Sequence, residues 1–500
     1  MLKSFYRHIE LRKAILHFNI KKTVILFTSL VVLTSLSAFA IEDVKPEKDS
    51  KLTLSDCVKI AIKNSPTLKK DKYNYEMSKH NVSIAKAVFF PRLAVGTGYN
   101  LTDTRASNIS NNSSVYSAEA SLNMLIFNFG KANANINMRK FNMIAALYNF
   151  NADVLTTIIE VRTNYYAVLA AKATVDINKA YVDINERNYQ RTKAYFDEGI
   201  KSKIDLVNAE VNLSDSKVSL VEAEKAYENA MVNLNNSMYI AFAPKYEIEP
   251  TETFNLKDNL YIVSLQELDK VSDLSVLPEE IKDATHSKTT EKTEILDGFK
   301  FEPYPYSFEE SVEMAYNNRS IIKSYKATLD AMKENLKYVK REYFPEISAS
   351  TGYGFRDTNS TNSFNVGVNL SSSVNILSKK HEIDNAKLQV ALAENDLVQI
   401  KQDMYFAVQA AYISMVDIEK QIPLLAVKVR QTLENFELAD GRYSVGLGDY
   451  IELQDAKVQY NNAQHKYVEA IYKYNVARTT LEGLIAAPQL VTINIEDYNK

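Results

Sequence analysis

The chain repeats itself. Leu52-Thr-Leu-Ser-Asp-Cys-Val-Lys-Ile-Ala61 aligns with Tyr306-Ser-Phe-Glu-Glu-Ser-Val-Glu-Met-Ala315 at an offset of 254. Phe90-Pro91 aligns with Phe344-Pro345, and Gly98 with Gly352, at the same offset. Farther along, Val161-Arg-Thr-Asn-Tyr165 aligns with Val408-Gln-Ala-Ala-Tyr412 at an offset of 247, as do Gly199, Leu206 and Ala209 with Gly446, Leu453 and Ala456. One order of features at a slowly drifting offset means two structural copies that differ by small loop deletions. The first copy covers residues 41–239 and the second 306–487. Between them, residues 240–305 are charge-rich and carry five prolines, and read as a connecting segment with little core. Residues 488–500 form a C-terminal tail.

Each copy opens with a helix. Thr53-x-x-Asp56 and Ser307-x-x-Glu310 are capping-box patterns, in which a hydroxyl accepts from an amide and a carboxylate reaches back. The helices are expected to run to Pro91 and Pro345, with a kink at Pro66. Two strands follow in each copy, about 92–102 and 115–127, then 346–356 and 364–376. Leu93, Val95, Tyr99 and Leu101 alternate with Arg92, Ala94, Gly96, Gly98 and Asn100, and the other three strands alternate in the same way. One face is apolar and aromatic, the other small and polar. A soluble sheet lying on a core would alternate too, but segments of about ten residues with a small polar face are the signature of a transmembrane β-barrel. The stretches 102–114 and 357–363 are rich in Asn, Ser and Thr and read as exposed loops.

Neither proline nor glycine occurs from Lys131 to Phe196, so one helix of roughly 100 Å fits there at 1.5 Å per residue. Its counterpart runs from about Lys380 to Tyr443, with a kink expected at Pro423. Each turns at a glycine, Gly199 or Gly446, suited to the left-handed conformation of a helix C-cap. The return helices carry a seven-residue repeat: Leu206, Leu213, Leu220, Tyr227, Leu234, and Leu453, Tyr460, Tyr467, Tyr474, Leu481. A second stripe runs through Ile204, Val207, Val211, Val218 and Val221. Strict heptads imply coiled-coil packing. Two stripes suggest a wall of helices with a neighbour on either side, or else one broad ordinary core.

The N-terminus sets the compartment. Basic residues up to Lys21-Lys22 precede an apolar run from Val24 to Leu36 and then Ser37-Ala38-Phe39-Ala40. That order is a secretory signal peptide over residues 1–40, and the run is short for a membrane anchor. The single cysteine, Cys57, excludes an intramolecular disulfide or a cysteine-clustered metal site, and reads as a buried small hydrophobe. Six scattered histidines show no metal-ligand spacing, and a net charge of −3 gives no footprint for nucleic acid. Nucleotide-cradling glycine motifs are absent and no convergent polar site suggests an enzyme.

Duplication, signal peptide, strand pairs and turns together resemble the TolC-like outer membrane efflux proteins, over the whole mature chain. The most specific stretch is Tyr443-Ser-Val-Gly-Leu-Gly-Asp-Tyr-Ile-Glu-Leu-Gln-Asp-Ala456, with Gly199-Ile-Lys-Ser-Lys-Ile-Asp-Leu206 as its first-copy equivalent. The resemblance implies a mostly α chain with a membrane β-barrel: a homotrimer whose twelve-stranded barrel sits in the outer membrane of a Gram-negative bacterium and continues as a long periplasmic helical barrel. Four strands cannot close and eight leave an interior filled by side chains, so twelve from three chains is the smallest closed multiple with an open conduit. The implied role is the exit duct of a tripartite efflux or type I secretion system, with no catalytic residue, cofactor or metal. Its partners would be a periplasmic adaptor, an inner-membrane pump of the resistance–nodulation–division or ABC type, and outer-membrane lipid. A secreted structural coiled-coil protein is the alternative; it accounts for the heptads but not for the strands.

The resemblance also implies site residues. Asp205 and Tyr443 fall where family members hydrogen-bond between helices to hold the periplasmic tip closed, although Ser202-x-x-Asp205 is equally a capping box. Gly448 stands where a gate arginine would be expected, a departure that Lys201 or Lys203 could offset. Glu452 and Asp455 match carboxylates that ring the tunnel constriction; as plain residues they could instead lie on a solvated helix face. The turns at Gly199 and at Val445, Gly446 and Leu447 would meet the adaptor.

Overall fold

The structure, a computed structural model, describes residues 45–106, 109–250, 304–357, 361–372 and 376–486. The segments read as a signal peptide and a C-terminal tail, and most of the connecting stretch, lie outside the described residues. A short strand, β1 (Lys51–Leu52), leads into α1 (Leu54–Asn64) and α2 (Pro66–Lys86); the second copy has α5 (Phe308–Asn318) and α6 (Ser320–Arg341). Both capping boxes form: Asp56 N–H donates to the Thr53 hydroxyl at 3.2 Å and Glu310 N–H to the Ser307 hydroxyl at 3.3 Å, while Asp56 and Glu310 accept from the cap amides.

In place of one helix per copy, kinked in the first at Pro66, there are two helices meeting at Ser65 and at Arg319. Ser65 is extended, with ψ 117°, because the ring of Pro66 disfavours helical geometry before it, and its hydroxyl caps α2 at Leu68. Arg319 adopts ψ 119° with no proline after it. At this break the Arg319 guanidinium donates to the Gly483 carbonyl at 2.6 Å.

The strands β2 (Arg92–Ala106), β3 (Ile109–Phe127), β5 (Glu346–Arg356) and β6 (Thr361–Ser371) form one antiparallel sheet in the order β2-β3-β5-β6. Register rows show the two faces. Leu93, Leu122, Thr351 and Val366 lie side by side, as do Val95, Ala120, Tyr353 and Phe364. On the opposite face the rows are Ala94, Ser121, Gly352, Asn365 and Gly96, Glu119, Gly354, Ser363. The strands reach into both stretches read as loops, so β2 and β3 pair almost to their connection. Backbone pairing continues once the register is set, whatever the side chains, and a membrane needs only about ten residues per strand. At its other end β6 stops at Ser371, one residue past the last outward apolar side chain, Leu370, and not at 376.

The long helices are α3 (Lys131–Asp197, 67 residues) and α7 (Ile376–Ser444, 69 residues). Pro423 lies inside α7, which continues past it as one element. Their return helices are α4 (Lys203–Ser237) and α8 (Tyr450–Leu484), each packed on its own long helix, and α8 packs also on α3. The heptad side chains of α8 are all buried, whereas on α4 the stripe of Ile204, Val207, Val211, Val218 and Val221 is exposed. No helix among the described residues is long and apolar enough to cross a membrane.

The main core gathers where the short and long helices meet. Tyr165 donates its hydroxyl to the Glu249 carbonyl at 2.5 Å, beside the fully buried Cys57, whose thiol is pushed up to about 12, chiefly by burial. The start of the connecting stretch belongs to this core. Ile240, Tyr246 and Ile248 are buried, and β4 (Glu247–Ile248) pairs in parallel with β1.

Candidate functional site

The far end of the helices is built by two matched turns. Gly199 has φ 75° and Gly446 φ 77°, a region that side-chain-bearing residues rarely occupy. Gly199 N–H donates to the Phe196 carbonyl and Ile200 N–H to that of Tyr195, at 2.9 and 2.8 Å. Ser202 then starts α4: Asp205 N–H donates to its hydroxyl at 3.3 Å, and the Asp205 carboxylate accepts from the Ser202 amide at 3.1 Å and hydroxyl at 2.8 Å. In the second turn, the Leu447 and Gly448 amides donate to the Arg442 carbonyl at 2.9 and 3.0 Å. Asp449 caps α8, accepting from Glu452 N–H at 2.7 Å. A Cβ at Gly448 would lie 3.0 Å from the Tyr443 amide nitrogen and 3.1 Å from Arg442 Cβ. A side chain at 448 would therefore crowd the backbone of Arg442 and Tyr443, which would have to give by a few tenths of an ångström.

Above the turns sits a separate small core of Ala209, Ala439, Tyr443, Tyr450, Leu453 and Ala456. Tyr443 is its centre, with no exposed surface. Its hydroxyl shares a hydrogen bond with Thr192 Oγ1 at 3.1 Å, and its ring lies under Lys201 Nζ at 4.7 Å and Arg191 at 5.2 Å. Burial pushes its phenol above the usual tyrosine value, with the Asp205 charge adding to it and the Thr192 bond opposing. Around it, Arg191 pairs with Asp440 at 2.5 Å, Tyr195 donates to the Ser444 carbonyl at 2.9 Å, and Asn212 donates to the Tyr450 hydroxyl at 2.6 Å. Each contact joins the α3–α4 hairpin to the α7–α8 hairpin.

The expected gate pair is therefore divided. Tyr443 sits at the hairpin junction, but its partner is Thr192, while the Asp205 carboxylate is occupied by the capping box of its own helix. Lys201 does come to the site, over the Tyr443 ring. Glu452 and Asp455 are both exposed on α8, and Glu452 pairs with Arg442 at 3.1 Å. Val445 and Leu447 are 69% and 76% exposed at the tip. Arg191, Thr192 and Asp440 were missed because partners about 250 residues apart leave no local pattern. Lys457 did leave one: it lies between Leu453 and Tyr460 on the buried heptad face, where a lysine is out of place.

Comparison with known proteins completes the picture. A family model described as outer membrane efflux protein matches residues 57–238 and 312–487. The chain belongs to the outer membrane efflux protein family. Among solved structures, that of CusC superposes with a TM-score of 0.68 at 13% identity, covering 89% of this chain and 95% of that one. The CmeC outer membrane channel of Campylobacter jejuni gives 0.67 at 15% identity, covering 90% of each chain. At these identities the likeness speaks to the fold: a mostly helical efflux-protein fold in two repeated halves. In sequence, the solvent efflux pump outer membrane protein SrpC of Pseudomonas putida is 23% identical over 183 residues. That match spans 35% of this chain and 37% of the relative's length. The two matched segments begin within α1 and α5 and the first ends at Met238, the C-cap of α4, so each falls within one of the two copies of this efflux-family chain.

Proposed function

We propose that this efflux-family protein is a passive exit duct of a tripartite pump, assembled from three copies and closed at its periplasmic tip. The observation that carries this reading is the four-stranded sheet with two open edges and one apolar face. Sheet edges exposed to lipid leave backbone groups unpaired at several kcal/mol each, so a membrane sheet must close on itself. The edge strands β2 and β6 run in opposite directions, so copies add edge to edge in antiparallel pairing. Three copies make the twelve-stranded conduit. The exposed stripe of α4 has a match on α7, where Leu388, Leu392, Val398, Phe406 and Ile413 are exposed. Covered by neighbouring copies, each at its own height along the helices, the two stripes would continue the barrel as a helical tunnel. The exposed apolar turns at Ile200, Val445 and Leu447 suit the adaptor of an inner-membrane pump.

In that assembly Asp455 and Glu452 line the constriction, three residues apart on one face of α8. Their contributions are unequal, because Arg442 already compensates Glu452 whereas Asp455 is exposed. In planar bilayers under a salt gradient the protein should be cation-selective. Asp455→Ala should move the reversal potential toward zero by more than Glu452→Ala does. Selectivity unchanged in the double variant would place both carboxylates outside the conduction path and remove this constriction.

A further inference from the structure

On α8, Lys457 is only 2% exposed. Its ammonium donates to Asn185 Oδ1 of α3 at 2.9 Å, and Asn185 is itself buried. Among the described residues no carboxylate forms an ion pair with it. The acid whose charge acts on it, Asp440 of α7, is paired with Arg191 of α3, so that neighbourhood holds two cations and one anion. A buried charge without a counter-charge is costly, and burial, with Arg191 adding to it, pushes the Lys457 amine down to about 8.

Lys457 lines a cavity of about 80 Å³ together with Tyr181, Tyr460, Gln464, Phe436 and Ile184. That is room for a small ion with a water or two. Its polar lining consists of the Lys457 ammonium, the Tyr181 hydroxyl, and the Gln464 amide, which donates to the Tyr460 hydroxyl at 2.9 Å. One ammonium N–H points to Asn185, which leaves two N–H groups for a ligand.

We propose that this cavity is a binding site for a small monovalent anion of the halide class, held by Lys457 and bridging α3 and α8. The anion supplies the counter-charge that Asp440 gives to Arg191. Because α3 and α8 belong to different hairpins, a bound anion also strengthens their union; that consequence for gating rests on the duct reading, whereas the site itself does not.

Bromide is the probe, used on full-length protein. Crystals grown in sodium bromide at pH 7 should show an anomalous peak beside Lys457 Nζ. At constant ionic strength, chloride in place of gluconate should raise the unfolding midpoint by about 2 °C, saturably. The pH dependence has a definite sign. The folded-state amine lies near 8 and the unfolded one near 10.4, so below 8 both are charged and the fold carries the full penalty. In gluconate, stability therefore rises as pH climbs from about 8 to about 10, and chloride flattens that rise. Tyr181→Phe, which leaves the lysine in place, should weaken the chloride effect, and Lys457→Met should abolish both the peak and the effect. No bromide peak in wild type, or an equal chloride effect in a folded Lys457→Met protein, would overturn the site and mean that the amine relieves its burial by losing its proton.

Discussion

Tyr443→Phe combined with Asp440→Ala should turn a closed duct into one that conducts persistently. The first change removes the hydroxyl bond to Thr192, and the second removes the partner of Arg191. A net hydrogen bond contributes about 1 kcal/mol. The half-exposed ion pair, discounted for solvent screening, contributes about another 1 kcal/mol. Three copies opening together would then lose about 6 kcal/mol of closure, or roughly four orders of magnitude in the ratio of closed to open. Single-channel recordings should show larger and longer openings. Asp205→Asn is the informative companion, since the structure assigns that carboxylate to the cap of α4. It should loosen the first turn of α4, seen as faster amide exchange at residues 203–206, and leave conductance at the wild-type level. If Asp205→Asn opened the channel and the Tyr443 and Asp440 pair did not, the lock would lie between copies and not between the hairpins of one.

The second large effect concerns the sheet. Val366→Arg should cost about 2–4 kcal/mol per copy, because it places a guanidinium on the lipid face near the centre of the apolar band of β6. Asn365→Arg, one residue away, points to the polar face and should be tolerated. Outer-membrane fractionation and heat-modified gel migration would read the difference: assembled protein for Asn365→Arg, and little or none for Val366→Arg. Equal tolerance of both would mean that neither face meets lipid and that the sheet lies on a soluble core.

Much of this architecture is written in short-range patterns. The capping residues Thr53, Ser202 and Ser307 act on amides three residues ahead, the turn glycines act within one turn, and heptads repeat every two turns. All are visible in a linear reading. The break at Ser65 is half visible, as a proline, while its twin at Arg319 has no proline to mark it and its side chain bonds to a carbonyl 164 residues away. Strand lengths were underread because Asn, Ser and Thr mark loops only when backbone pairing does not continue through them. At the tip the sequence pointed to Tyr443 but not to Thr192, since a buried hydroxyl chooses among whatever acceptors packing brings to it. Lys457 shows the opposite case, in which a polar residue on an apolar heptad face signals a site before any partner is known.

The central claim is that one chain supplies a third of a closed conduit. The native mass of the detergent-extracted protein, taken on the same preparation that conducts in bilayers, tests it most directly. Three protomers per particle is the predicted result. A monodisperse monomer that still forms conducting pores would contradict it, since four strands with two open edges would then have crossed the membrane alone.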